Sequence, residues 1–365
     1  MKKKILKIAA VVLAVVIVAG GIIAYALLPH ALSYDIKSVP FIGSELEIVS
    51  ETEDEVTVKK DGEFKVLFFT DTHFDGKNKT SQLTAENLVD NIVSEKPDLV
   101  IFNGDNVTSA FNRKRCNQLA EIFEKLGVYW AGGLGNHEGD NSMSLSREEM
   151  VDIFSSYEHC LMREGPAELS GEVNYVLTVL NGDDSIRHAF YFLDTGDEAS
   201  AETEAEYNIP DDGKTHYDGT KPDQVAWYTA ENNALKEKYG DFNSTLVVHI
   251  PLYQMKAEAE KGDFVYGEKL EGVCASAFDS GMFDALKEGG TTKTAFFGHD
   301  HLNTFAVEKD GILLAYLQPS GYGSYTAESR LGYEEKDWLQ GYTSVLVAEN
   351  GELETAYIRN SEKGE

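Results

Sequence analysis

Five of the nine histidines in this chain of 365 residues stand in or form short polar clusters. Each cluster offers hard oxygen or borderline nitrogen donors, which are the donors that bind divalent first-row metals. We therefore predict that the clusters meet in one site for two metal ions. In chain order they are Asp71-Thr72-His73, Gly104-Asp105-Asn106, Gly135-Asn136-His137-Glu138, the lone His249, and Gly298-His299-Asp300-His301.

A short apolar run precedes each cluster and is typical of a buried strand. These runs cover residues 65–70, 97–103, 128–131, 246–248 and 294–297. The segments 84–95 and 115–126 have helical spacing and separate the first three runs. Open α/β sheets place their sites at the carboxyl ends of strands. The pattern therefore predicts strands that carry the polar clusters at one edge.

The rest of the chain adds a second group of strands. Residues 174–180 and 188–194 alternate in polarity around a turn at 181–184, which is typical of a hairpin. Residues 223–239 read as a helix, and 311–318 and 341–357 are rich in strand formers. We predict an α/β fold of two packed mixed sheets with helical outer layers, a four-layer α/β/β/α sandwich. One catalytic domain over residues 63–360 fits the length.

Charge and cysteine content exclude some classes of function. The net charge of −30 argues against a non-specific grip on nucleic acid, since phosphate backbones are bound by lysine and arginine. Cys116, Cys160 and Cys274 are widely spaced and form no C-x-x-C motif, so we expect ordinary thiols rather than metal ligands.

The amino terminus is predicted to be a separate segment. Lysines at positions 2, 3, 4 and 7 precede a run from 8 to 28 that carries no charge. About 20 apolar residues span a bilayer as a helix, and leading lysines place that end inside. We predict a membrane anchor over residues 1–30 and a tether over 31–62. The alternative is a cleaved signal peptide with an A-x-A site at 24–26. Either puts the domain outside the cytoplasm.

Further motifs carry a family resemblance. They include Gly165-Pro166-Ala167-Glu168-Leu169, Tyr191-Phe192-Leu193-Asp194-Thr195-Gly196, His249-Ile250-Pro251-Leu252 and Ser320-Gly321-Tyr322-Gly323. With the polar clusters, they resemble the calcineurin-like metallophosphoesterase superfamily. The similarity is greatest to the branch of purple-acid-phosphatase-related plant and fungal phosphatases. It covers roughly residues 65–358.

The resemblance implies a dinuclear centre of Mn, Zn or Fe. Two such ions about 3.5–4 Å apart clamp a phosphate and turn a bridging water into a hydroxide nucleophile. It also implies that His137 contacts substrate and protonates the leaving oxygen. The implied ligands are Asp71, His73, Asp105 and His301 for one ion, and Asp105, Asn136, His249 and His299 for the other.

Residues around the ligands complete the predicted site. Either Glu138 or Asp140 is expected to orient His137. Tyr217, Tyr322 and Arg330 are candidates for contacts to the phosphate or leaving group, with a structural role as the alternative for each.

One position departs from the purple enzymes. Thr108 stands three residues after Asp105, where those enzymes have an iron-binding tyrosine. We therefore expect no purple colour, and an Fe(III) requirement is not implied.

Together these features predict a metal-dependent phosphoesterase that is anchored in a membrane and faces outside the cytoplasm. Its phosphorylated substrate is predicted to be a phosphate monoester. One alternative is a phosphodiesterase that acts on nucleotides or envelope polymers. Another is a non-catalytic, metal-stabilised binding module on the cell surface.

Overall fold

The computed structural model describes residues 2–27, 39–75, 78–140, 142–334 and 338–360. Helices and strands alternate along most of this length. In chain order they are α1 (Lys2–Leu27), β1 (Glu47–Glu51), β2 (Glu55–Lys59), β3 (Lys65–Phe69), α2 (Asn78–Glu95), β4 (Leu99–Asn103), α3 (Arg113–Leu126), β5 (Tyr129–Gly133), α4 (Arg147–Ser155), β6 (Asn174–Leu180), β7 (Ile186–Leu193), α5 (Ala201–Tyr207), α6 (Pro222–Tyr239), β8 (Ser244–Val247), α7 (Gln254–Lys261), α8 (Met282–Gly289), β9 (Thr292–Phe297), β10 (Ala306–Lys309), β11 (Ile312–Tyr316), α9 (Ala327–Leu331), β12 (Gly341–Val347) and β13 (Leu353–Arg359).

The strands form two mixed sheets. The smaller has the order β13-β12-β3-β4-β5, and the larger has the order β1-β2-β6-β7-β8-β9-β11-β10. Strands β3, β4 and β5 run parallel to one another, as do β7, β8 and β9. All residues of β4 and β6 are buried, because both faces of their sheets are covered.

Aromatic contacts join the two sheets and their outer helices. The ring centroid of Phe68 on β3 lies 5.0 Å from that of Phe296 on β9, between the sheets. On the outer face of the smaller sheet, Phe102 lies 5.2 Å from Phe123 on α3. On the outer face of the larger sheet, Tyr191 lies 4.8 Å from Tyr228 on α6. The predicted two-sheet α/β fold with helical outer layers is confirmed.

The predicted tether over 31–62 is wrong for its second half. Strands β1 and β2 belong to the larger sheet, where β2 pairs in parallel with β6. Val56 and Val58 are fully buried in the core between the sheets. The acidic residues that join these two short strands hid their alternation in the sequence. Residues 31–38 of the predicted tether lie outside the described part, and the remaining domain boundaries stay predictions.

Helix α1 covers most of the predicted membrane anchor. Among the residues described by the structure, no helix is both long and apolar enough to cross a membrane. The predicted transmembrane helix is therefore not supported.

Asn103, at the end of β4, ties the two sheets together beside their carboxyl edges. Its side-chain nitrogen donates to the carbonyl of Val248, which follows β8, at 3.0 Å. The loops that follow β3, β4 and β5 consequently meet the loops that follow β8 and β9. These five loops carry the five polar clusters.

Candidate metal centre

Four of the predicted ligands stand on an unusual backbone. Asp71, His73, Asp105 and His299 have positive φ angles of 55°, 41°, 52° and 76°. Residues other than glycine avoid this region, and such strained residues cluster at functional sites. At each of these positions the chain turns sharply after a strand, which directs the side chain across the edge of the sheets.

The first predicted ligand set is a compact buried cluster. One ligand atom from each of Asp71, His73, Asp105 and His301 lies within 4.8 Å of all the others. His73 Nε2 lies 3.1 Å from His301 Nε2 and 3.4 Å from Asp105 Oδ2. His301 Nε2 lies 3.2 Å from Asp71 Oδ1. The structure thus brings together the whole of this set.

Two of the histidines have their orientation fixed by backbone carbonyls. The Nδ1–H of His301 donates to the carbonyl of Tyr325 at 3.2 Å, and the Nδ1–H of His249 donates to that of Asn103 at 2.7 Å. In the neutral form, each ring then presents a bare Nε2 lone pair to the cluster. Outer contacts of this kind hold imidazoles ready for a metal.

The second predicted set lies beside the first. His249 Nε2 is 3.2 Å from Asp105 Oδ2, the same carboxylate oxygen that lies 3.4 Å from His73 Nε2. His299 Nδ1 lies 2.7 Å from Asn136 Oδ1. Buried nitrogen and oxygen donors this close to one another are of the kind that bind a divalent first-row metal ion. The donor set therefore fits divalent metal ions.

Without metal, burial and charge divide the histidines into two groups. Burial lowers the pKa of His73 and that of His299 to about 3, so both rings are neutral. Burial also opposes the charged form of His249, but the carboxylate of Asp105 outweighs it and raises the pKa to about 10. A proton on His249 consequently balances Asp105 in the absence of metal.

Two glycines let the loops approach one another. A Cβ on Gly135 would lie 2.2 Å from Asp105 Oδ1. A Cβ on Gly298 would lie 2.1 Å from Thr70 Oγ1 and 2.8 Å from Asp71 Oδ2. No other residue fits at these positions unless the ligands move, which explains why glycine precedes Asn136 and His299.

His137 lies at the open side of the cluster, with its side chain 44% exposed. Its backbone N–H donates to Asp105 Oδ1 at 2.9 Å, and its Nδ1 lies 2.5 Å from Asp140 Oδ2. Partial burial lowers the pKa of His137. The charges of Asp105 and Asp140 together raise it by more, so the net shift is upward. Of the two predicted partners, Asp140 is the one that contacts the ring.

Glu138 instead holds two loops together. Its buried carboxylate accepts hydrogen bonds from the backbone N–H groups of Asp105 at 3.2 Å, Gly135 at 2.8 Å and Asn106. It therefore positions the backbone of Asp105 relative to that of Asn136.

Two residues that support this arrangement were not predicted from the sequence. The guanidinium of Arg147 donates to the carbonyl of Gly135 and to Asp194 Oδ1, each at 2.5 Å. The Tyr325 ring stacks on His301 with centroids 4.3 Å apart. The contacts of Arg147 with Asp194 and of Tyr325 with His301 join positions far apart in the chain, and no local motif predicts them.

The three candidate substrate contacts differ in position. The Tyr217 ring lies 4.3 Å from the His299 ring and so borders the cluster. The guanidinium of Arg330 lies over the Tyr325 ring, 4.9 Å from its centroid. The Tyr322 backbone N–H donates to Thr84 Oγ1, and its ring lies 6.1 Å from that of Trp338. Of the three, Tyr217 has a described contact with a predicted ligand.

A family model described as "Calcineurin-like phosphoesterase" matches residues 64–303, which contain all five clusters. The chain belongs to the calcineurin-like phosphoesterase family. The predicted resemblance is confirmed, and the protein is a hydrolase of the class that acts on phosphate esters. The family and the buried cluster of this calcineurin-like phosphoesterase together indicate divalent metal ions as cofactors.

Relatives of this calcineurin-like phosphoesterase include plant proteins. It is 31% identical to "Probable inactive purple acid phosphatase 14" from Arabidopsis thaliana, over 73% of this chain and 72% of that one. It is 28% identical to "Probable inactive purple acid phosphatase 29" from the same plant, over 75% of each. A dimetal phosphatase from Danio rerio superposes with a TM-score of 0.47 at 15% identity, covering 81% of this chain and 99% of that one.

Proposed function

We propose that the protein is a phosphomonoesterase with a dinuclear metal centre. The observation that carries this proposal is the position of Asp105 Oδ2 in a buried site, 3.2 Å from His249 Nε2 and 3.4 Å from His73 Nε2. A carboxylate beside imidazole nitrogens suits a divalent metal ion at this point. The names of the plant relatives, which call them phosphatases, favour a monoester substrate.

The proposed ligands divide as the resemblance implies. When bound, a pair of ions would act as Lewis acids that polarise the phosphate and activate water. Asp105 has two carboxylate oxygens and lies between the two sets, so it is the proposed bridge. One ion would be held by Asp71, His73, Asp105 and His301, and the other by Asp105, Asn136, His249 and His299.

His137 is the proposed general acid. It lies at the exposed side of the cluster, where an ester can approach, and Asp140 orients its ring through Nδ1. The charges of Asp105 and Asp140 raise the pKa of His137 despite its partial burial, which favours the protonated ring. That proton is available to the leaving oxygen as the bond to phosphorus breaks.

A second candidate function has one observation in its favour. The plant relatives are called inactive in their names, which suits a metal-stabilised module that binds a partner without turnover. The retention of all seven proposed ligands and of His137 favours catalysis instead. A phosphodiesterase would use the same residues and differs from the main proposal in substrate alone.

Turnover of two substrates separates these functions. We would compare an aryl phosphate monoester with its bis-ester on the metal-loaded protein, together with the Asn136→Ala and His137→Ala variants. The proposal predicts monoester hydrolysis that both variants lose. Hydrolysis confined to the bis-ester would establish a phosphodiesterase. Bound metal without turnover on either substrate would favour the binding module.

The location of the domain outside the cytoplasm is also a proposal. It rests on the four leading lysines and the charge-free run from 8 to 28 in the sequence. Apolar side chains such as Val11, Ile17 and Ile22 are more than half exposed on α1, so they are not covered by the domain. Membrane fractionation with protease added outside intact cells tests this. Protection of the domain would contradict it, and a released shorter chain would indicate signal cleavage.

A further inference from the structure

A cavity of about 580 Å³ opens beside the candidate metal centre. Its wall is formed by the segment 209–217, by the start of α7 and by the segment 273–277. Tyr217 belongs to this wall, and its ring also lies 4.3 Å from that of His299. The cavity is therefore adjacent to the predicted ligand His299, with Tyr217 between them. Its volume is in the range of about 300–1,000 Å³ that small-molecule sites occupy.

Backbone hydrogen bonds fix the wall of the cavity. The backbone of Tyr217 forms an antiparallel β-bridge with Glu198 on one side and a parallel β-bridge with Ser276 on the other. The Ala277 N–H donates to the carbonyl of Tyr217 at 3.0 Å, and the Ser276 N–H donates to that of Pro251 at 2.9 Å. The segments thus form a small sheet-like wall, and the position of Tyr217 beside His299 is set by the fold.

Tyr253 offers a flat apolar surface inside this cavity. It stands immediately before α7 and makes no side-chain capping hydrogen bond to that helix. Its side chain lines the cavity and Tyr253 is 50% exposed. A partly exposed aromatic ring gains free energy when a second ring packs against it. Tyr253 is therefore available to a ligand without a rearrangement of the core.

The charge of the cavity wall also differs from that of the whole chain. Lys214 is neutralised by Asp212 at 2.8 Å. Lys256 lies one helical turn after Tyr253 and forms no ion pair with any residue that the structure describes. Glu260 lines the same wall, so two lysines balance two carboxylates. In a chain of net charge −30, this is a place that an anionic phosphate ester can approach.

We propose that this cavity binds the leaving group of the phosphate ester and selects leaving groups that carry a flat ring, which packs on Tyr253. The inference rests on the proposed function, because the phosphate must lie at the metal centre for its leaving group to enter the cavity. Tyr217 separates the two sites and contacts both. The substrate class is then a phosphate ester of a ring-bearing alcohol or phenol.

Calorimetry with phosphonates that cannot be hydrolysed tests the subsite directly. The full-length, metal-loaded protein would be titrated with naphthylmethylphosphonate and with methylphosphonate, which lacks the ring. We expect tighter binding of the naphthyl compound. Tyr253→Ala should weaken it about three- to tenfold, as loss of one ring contact does. Tyr253→Phe keeps the ring and should bind as the wild type does, and methylphosphonate affinity should be equal in all three proteins.

The outcomes separate this inference from the proposed function. Equal affinity of the wild type and Tyr253→Ala for the naphthyl compound would overturn the subsite. An equal loss of affinity for both phosphonates in Tyr253→Ala would also overturn it. Turnover of naphthyl phosphate is measured in the same proteins. If the naphthyl compound binds through Tyr253 but wild-type protein hydrolyses no ester, the subsite stands and the proposed function fails.

Discussion

The Nδ1 atom of His137 lies 2.5 Å from the carboxylate of Asp140, at the open side of a buried cluster of metal-type donors. This contact, together with the charge of Asp105, raises the pKa of His137 against the effect of burial. The upward shift in pKa favours the protonated form of the His137 ring. The relationship gives the proposed acid a pH dependence that can be measured.

The first prediction concerns Asp140→Asn. Because the proposed acid works in its protonated form, turnover of the wild type should fall as pH rises through the His137 pKa. The asparagine removes a negative charge, so the pKa of His137 falls and the alkaline limb of kcat moves to lower pH. His137→Ala should remove this limb and lower kcat about 10²- to 10⁴-fold. An unchanged alkaline limb in Asp140→Asn would contradict this role.

A second prediction follows from the proton on His249. Its pKa of about 10 in the absence of metal means that a metal ion must displace this proton. Metal binding should therefore release protons, and metal affinity should rise with pH between 6 and 8, about tenfold per unit for each proton released. Calorimetry of Zn²⁺ or Mn²⁺ binding in buffers of different ionisation enthalpy measures the release. Binding without proton release would show that His249 is not a ligand.

Third, a methyl group at Gly135 should disrupt the centre. The new Cβ in Gly135→Ala would lie 2.2 Å from Asp105 Oδ1, so the carboxylate must move. We expect loss of bound metal and of turnover. Gly133→Ala is a matched control two residues earlier, where a Cβ meets nothing within 4 Å. Metal analysis of both purified proteins checks this, and equal metal content in the two would refute the proposed close approach.

Fourth, Glu138→Gln should destabilise the protein rather than act on the chemistry. The buried carboxylate accepts from several backbone N–H groups, and a side-chain amide can accept through one oxygen only. Loss of one charged hydrogen bond costs about 1.5–3 kcal/mol. Denaturant unfolding of metal-free protein measures the free energy of unfolding, with the exposed Glu260→Gln as control. Equal stability of the two variants would argue against a positioning role.

The sequence predicted the parts of the fold that local patterns encode. Apolar runs followed by polar clusters identified the strands that end shortly before Asp71, Asp105 and His299, because an apolar strand and the polar loop after it differ sharply in composition. Strands β1 and β2 were missed because each is short and flanked by acidic residues, so their few buried positions left no clear period.

Contacts between distant positions could not be predicted in this way. Arg147 pairs with Asp194 across 47 positions, and the carbonyl of Tyr325 fixes the ring of His301. Neither contact depends on local spacing, so each requires the tertiary fold. The choice of Asp140 over Glu138 as the partner of His137 likewise depended on how one tight loop is folded.

The central claim is that the buried cluster holds two metal ions that are used for phosphomonoester hydrolysis. The most direct test is the rate of aryl phosphate monoester hydrolysis by metal-reconstituted wild type and Asp105→Ala, with bound metal counted in the same samples. We predict about two ions per wild-type chain, consistent with a two-metal site, and loss of both metal and turnover in the variant. Turnover that survives in Asp105→Ala, or a wild type that binds no metal, would contradict the claim.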